Sequence, residues 1–91
     1  MQKSVHTPQQ KRLEALLREI RQEAGLTQRQ LAQRLRVPQS RVSDYERGES
    51  LPDILVLRQY LAVMDVSLTE FVQRLEQVLS GEDNKEKQVL G

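Results

Sequence analysis

The chain contains no cysteine and no tryptophan, a single histidine, and only three aromatic residues among 91. Without cysteine there is no disulfide framework and no thiol nucleophile. With His6 alone in a polar leader there is no Cys/His zinc site either, so neither a metal nor a cofactor is indicated. Glycine-rich phosphate loops are missing, and the acidic pairs "SD" and "ED" fall on a helix surface and in a polar tail, so catalysis is not expected. No apolar run approaches the ~20 residues that cross a bilayer. The opening "MQKSVHTPQQK" lacks the apolar centre of a secretion signal, so a cytoplasmic location is the expectation. Nothing alternates with period two over a useful length, which leaves no strand to propose.

What is present is charge, unevenly divided. Residues 1–48 carry ten Lys/Arg against five Asp/Glu, whereas residues 49–91 carry four against eight, so a net charge of +1 conceals a basic front and an acidic back. A basic surface suits a polyanion. Hydrophobic spacing is helical throughout. Leu13, Leu16, Leu17, Ile20 and Ala24 form one stripe between Pro8 and Gly25. Thr27 and Gln30 have capping-box spacing ahead of Leu31, Ala32 and Leu35, and Pro38 and Gly48 bracket a third helix with Val42 and Tyr45 on its inner side. Ile54, Leu57, Leu61 and Met64 give a fourth stripe. Ser67 and Glu70 form a second box ahead of Leu68, Phe71 and Leu75. The expectation is an all-α domain of five helices over residues 8–79, with a polar leader at 1–7 and a disordered polar tail at 80–91.

Two short helices joined by a tight turn, with apolar sides facing one core, form a helix-turn-helix at the second and third helices. At 100° per residue, Ser40, Ser43, Asp44 and Arg47 point away from Val42 and Tyr45, Gln39 projects from the N-terminal end, and Arg41 lies on a flank. Arg21, "GLTQ" at 25–28, "LA" at 31–32, "RVSDYERG" at 41–48, "LP" at 51–52, then Leu57, Leu61, Met64 and "VSL" at 66–68, closely resemble the phage repressor and Cro-like (Xre-type) helix-turn-helix family over roughly residues 12–76. The resemblance implies a compact five-helix, lambda-repressor-like DNA-binding domain that works as a dimer on two half-sites. Two positions depart from the family pattern. Arg36 stands where glycine is common, which forces a side chain toward positive φ, and Pro38 stands where a capping serine or threonine is common.

Carried over residue by residue, the resemblance assigns phosphate contact to Gln28, Arg29, Arg36, Arg41 and Arg47, with Arg58 a weaker candidate. Base contact falls to Gln39, whose amide matches adenine N6 and N7, and to Ser40, Ser43 and Asp44, the last able to accept from cytosine N4. Arg21 and Glu46 are paired as a structural ion pair fastening the first helix to the third. Breaking one partner of such a pair costs several kcal/mol if the pair is buried and ~0 to 1 if it is exposed.

Val56, Tyr60 and Val63 form a second apolar face on the fourth helix. With Val72, Val78 and Leu79 they make up the expected homodimer contact. The function implied is a transcription regulator, a repressor, binding double-stranded DNA at a pseudo-palindromic operator as a dimer. The alternative is an antitoxin that neutralises a toxin partner through its acidic half and autoregulates its own operon.

Overall fold

Each helix begins on a side-chain or ring device and four of them end the same way. The computed structural model describes residues 7–85, with side chains through residue 81, as α1 (Pro8–Glu23), α2 (Gln28–Leu35), α3 (Gln39–Arg47), α4 (Ile54–Ala62) and α5 (Leu68–Lys85), with no strand among the described residues. Thr7 Oγ1 accepts from the Gln10 amide (3.0 Å), so the last residue of the expected leader is the cap of α1. Thr27 and Gln30 exchange both bonds of a capping box at 3.0 and 2.9 Å. Asp53 Oδ1 accepts from Val56, and Ser67 Oγ from Glu70. Only α3 starts without a side-chain cap, on Pro38, whose fixed φ of −64° sets the chain for the first turn instead.

The closures of α1 to α4 share one geometry. An N–H bonds back across six residues in each: Leu26 to Arg21 O, Val37 to Ala32 O, Glu49 to Asp44 O and Val66 to Leu61 O, at 2.8 to 3.2 Å. The residue before each donor is left-handed: Gly25 (φ 75°), Arg36 (61°), Gly48 (75°) and Asp65 (64°). Three of the donors are apolar, and Leu26, Val37 and Val66 fold back onto the core as the closure brings them round. The conformation is thus dictated by the fold even at Arg36 and Asp65, where an L side chain is strained.

These turns reverse the chain tightly enough for five short helices to share one core. α2 packs on α3, α1 lies against α3 and α5, and α4 lies against α5. Leu16, Leu17, Ile20, Leu31, Ala32, Val42, Tyr45, Leu61, Met64 and Phe71 fill the centre. Leu13, Leu35, Leu57 and Leu75 border it, whereas Ala24 is exposed.

Two expectations for α4 are corrected. Ile54, placed in the inner stripe, is 58% exposed, and Tyr60, placed on an outer dimer face, is 1% exposed. The buried stripe is Tyr60, Leu61 and Met64 with Leu57 beside it, and the Tyr60 ring meets Tyr45 edge-on at a centroid distance of 5.6 Å. The face assembled from Val56, Tyr60 and Val63 therefore does not exist as a surface, because Tyr60 is in the core and Val63 packs against it. Val78 is likewise partly buried, while Val72 remains exposed.

The last helix continues past residue 80 to Lys85, since no proline interrupts it and each added residue gains a hydrogen bond. Residues 1–6, including His6, and residues 86–91 lie outside the described part.

Candidate nucleic-acid interface

The interface is built on a buried ion pair. Along α1, Gln10, Glu14, Arg18 and Arg21 recur at four, four and three residues, a polar column beside the leucine stripe that faces α3. From it Arg21 Nε donates to Glu46 Oε2 (2.7 Å) and Nη2 to Oε1 (3.1 Å), while Nη1 holds the Leu26 carbonyl at 2.8 Å. The Glu46 side chain is 2% exposed and that of Arg21 12%. The hydrogen bonds that Arg21 donates to Glu46 push its guanidinium still higher than its ordinary value, against the opposing effect of burial, so it keeps its charge in the interior. Arg18 Nη2 adds a bond to the Glu46 carbonyl (3.1 Å), neutralising a carbonyl near the C-terminal end of α3.

The same carboxylate reaches outward. Gln28 Nε2, on the first residue of α2, donates to Glu46 Oε1 at 3.1 Å, and Gln39 Nε2, on the first residue of α3, makes a long contact to Gln28 Oε1 at 3.5 Å. A polar chain thus runs from the core, Arg21 to Glu46 to Gln28 to Gln39, and ends at the exposed N-terminal tip of α3. Gln28 is half-buried, and its amide is committed inside the protein. Spacing alone gave no sign of that commitment, because 11 and 18 residues separate Gln28 from its two partners.

Around this tip the assigned residues sort by exposure. Gln39, Ser40, Arg41 and Arg47 are exposed, and Ser43 and Asp44 are half-buried on the same helix. Asp44 is engaged by Arg47, whose Nη2 lies 2.9 Å from its Oδ1, so carboxylate and guanidinium present themselves as a pair. On α2 and the turn, Arg29 and Arg36 are exposed. Arg34, which the sequence reading left out, is exposed in the last turn of α2, about 140° round the helix from Arg29. None of Arg29, Arg34, Arg36 and Arg41 has an ion-pair partner among the described residues, so α2, the turn after it and α3 carry uncompensated positive charge. By contrast Arg74 is held on the far side by Glu23 (2.9 Å to each oxygen), which keeps the Glu23 carboxyl below its usual range.

Behind α3 the contacts are close. A Cβ at Gly48 would meet the carboxyl of Glu14, itself bonded by Gln10 Nε2 at 3.1 Å. No cluster of histidine, cysteine and carboxylates able to hold a metal occurs among the described residues, and no helix there is long and apolar enough to cross a membrane.

Two short helices fixed at a tight turn, the second carrying amides, hydroxyls and guanidinium groups on its free side, define a helix-turn-helix DNA-binding protein. The sequence model of the helix-turn-helix family matches residues 17–71, and the chain belongs to that family in its phage repressor and Cro-like form. It is accordingly a DNA-binding transcription regulator. No curated protein and no solved structure matches the chain significantly.

Proposed function

We propose that residues 8–79 form the unit that recognises a pseudo-palindromic operator, two copies binding two half-sites with α3 of each in the major groove. Repression follows by occlusion of a promoter in the cytoplasm of a prokaryotic or phage-infected cell. The observation that carries this reading is the polar chain from the buried Arg21–Glu46 pair through Gln28 to Gln39. A base-reading amide is useful only if its position is fixed before DNA arrives, and this one is tethered to the best-buried charge in the domain.

Within the reading, Gln39 addresses adenine, Ser40 and Ser43 address neighbouring base edges, and Asp44 accepts from cytosine while Arg47 partly offsets its repulsion of phosphate. Arg29, Arg36, Arg41 and Arg47 hold the backbone, and Gln28 joins them through the second hydrogen of its Nε2, the first being given to Glu46. The half-site centres lie about 34 Å apart, one turn of DNA.

Selection of bound duplexes from a random pool, followed by anisotropy titration of the enriched consensus, tests the proposal. A two-fold symmetric consensus is expected, with Gln39→Ala and Ser43→Ala each costing about 1–3 kcal/mol on that sequence and little on random DNA. Enrichment of no sequence, or equal losses on all sequences, would sink it.

A further inference from the structure

A second arginine of α1 grips the same residue of α3. While Arg21 binds the Glu46 carboxylate, Arg18, three residues earlier, donates from Nη2 to the Glu46 main-chain carbonyl at 3.1 Å. Its Nε lies 4.0 Å from Glu46 Oε1, so the second guanidinium adds attraction to the carboxylate without a hydrogen bond to it. The closing turn of α3 does not serve that carbonyl. Its amides, those of Gly48 and Glu49, go to Tyr45 O at 3.3 Å and Asp44 O at 2.8 Å. Arg18 thus brings from another helix a donor that the last turn of α3 lacks in its own backbone. The Arg18 side chain is 44% exposed against 12% for Arg21, so its charge, unlike that of Arg21, is largely solvated and makes little demand on the fold.

We propose that Arg18 is a positioning residue for base recognition, fixing the angle of α3 against α1 and with it the placement of Gln39 and Ser43 in the groove; the proposal rests on the operator reading above. The bonds of Arg21 end on a carboxylate that swings on its own rotatable bonds, so alone they hold α3 at a pivot. A bond to the main chain admits no such swing. The apolar contacts of Val42 and Tyr45 keep α3 on the core without setting a direction.

Distance makes this anchor matter. Gln39 lies seven residues before Glu46, about 10 Å along the helix axis, so a tilt of about 5° at the Glu46 end displaces the tip by about 0.9 Å. A binding group must be held to within roughly 0.5 Å of its productive position. At the tip itself the restraint is slight, the 3.5 Å contact from Gln39 Nε2 to Gln28 Oε1. The alignment of the reading side chains is therefore set at the opposite end of α3, where Arg18 and Arg21 hold one residue by its main chain and its side chain.

The test separates positioning from charge and from folding. Anisotropy titrations over a range of salt compare the selected consensus with duplexes changed at the base pairs whose discrimination is lost in Gln39→Ala and Ser43→Ala. Arg18→Ala is expected to lower the ratio of the two affinities about fivefold or more, the loss of one base contact, with the salt slope unchanged on both duplexes. Arg18→Lys keeps a charged donor for the carbonyl and is expected to retain most of the ratio. Lys11→Ala removes an exposed charge within about 20° of Arg18 round α1 and is expected to leave the ratio as it is. Circular dichroism verifies that each variant is folded at the assay temperature. An unchanged ratio in Arg18→Ala overturns the positioning role. So does an equal loss on both duplexes with a salt slope shallower by about one phosphate, which makes Arg18 a backbone contact. Either result leaves base reading by Gln39 standing, whereas lack of sequence preference in the unsubstituted chain removes the reading and the positioning role together.

Discussion

Arg21 and Glu46 meet through two hydrogen bonds at 2.7 and 3.1 Å, across 25 residues of sequence, with the carboxylate almost wholly removed from water. A charge in that position is tolerable only while its partner stays. Glu46→Ala leaves the Arg21 guanidinium buried and unpaired, and a stability loss of about 3–5 kcal/mol in urea unfolding is expected. Replacing both, as Arg21→Met with Glu46→Leu, removes both desolvation penalties and should recover most of that loss. DNA affinity should not recover with it, since Gln28 Nε2 has then lost its acceptor and Gln39 its tether. Recovery of operator binding in the double variant would contradict the positioning role of the polar chain.

The left-handed turn at Arg36 separates stability from binding in a single residue. Arg36 sits at φ 61° and is exposed, so its strain serves no packing purpose. Arg36→Gly relieves a conformational cost of about 1–2 kcal/mol and gives back about 0.5–1 kcal/mol through the greater freedom of glycine in the unfolded chain. A small gain in thermal stability is expected, together with weaker DNA binding and a salt dependence reduced by about one phosphate contact. Unchanged affinity and salt slope would strike Arg36 from the phosphate set.

Much of this architecture could be read beforehand, and the reasons it stopped where it did are physical. The box at Thr27 and Gln30, the turn at Gly48 and the stripes of α1 to α3 are local, written in neighbours three or four residues apart. The phase of the α4 stripe is not local. Both Ile54, Leu57, Leu61, Met64 and Val56, Tyr60, Val63 have helical spacing, and only the positions of α3 and α5 decide that Tyr60 turns inward onto Tyr45 while Ile54 turns out. The pairing of Arg21 with Glu46 came from family resemblance, whereas the double commitment of Gln28 required α2 and α3 to be placed against each other. One available signal went unused: Gln10, Glu14, Arg18 and Arg21 share a face of α1, and that column marks where α3 docks.

Gly48 is constrained twice. Its φ of 75° disfavours any side chain, and a Cβ there would run into the Glu14 carboxyl, which cannot withdraw freely while it is bonded to Gln10. Gly48→Ala is expected to cost about 1–3 kcal/mol, measured by chemical denaturation. Adding Glu14→Ala to that background should remove the collision and leave only the backbone strain, so the double variant should show a smaller loss than the two single changes summed. Strict additivity would place the whole cost in the backbone.

The Tyr60 hydroxyl is the one buried side-chain polar atom without a hydrogen-bond partner among the described residues. Removing a buried hydroxyl that bonds to nothing gives up little, so Tyr60→Phe should be neutral or stabilising at pH 7 while keeping the edge contact with Tyr45. The pH dependence is more telling. Burial, reinforced by the Glu46 charge, raises the Tyr60 phenol above its ordinary value. The folded state therefore keeps this proton to higher pH than the unfolded chain does. Its contribution is intact below the unfolded value near 10 and is lost as pH rises beyond it, at up to about 1.4 kcal/mol per pH unit. Urea unfolding between pH 9 and about 11 should show this decline in the unsubstituted protein and a shallower one in Tyr60→Phe. Identical alkaline limbs for the two would mean that Tyr60 ionises as readily folded as unfolded, which a phenol at 1% exposure beside a carboxylate does not do.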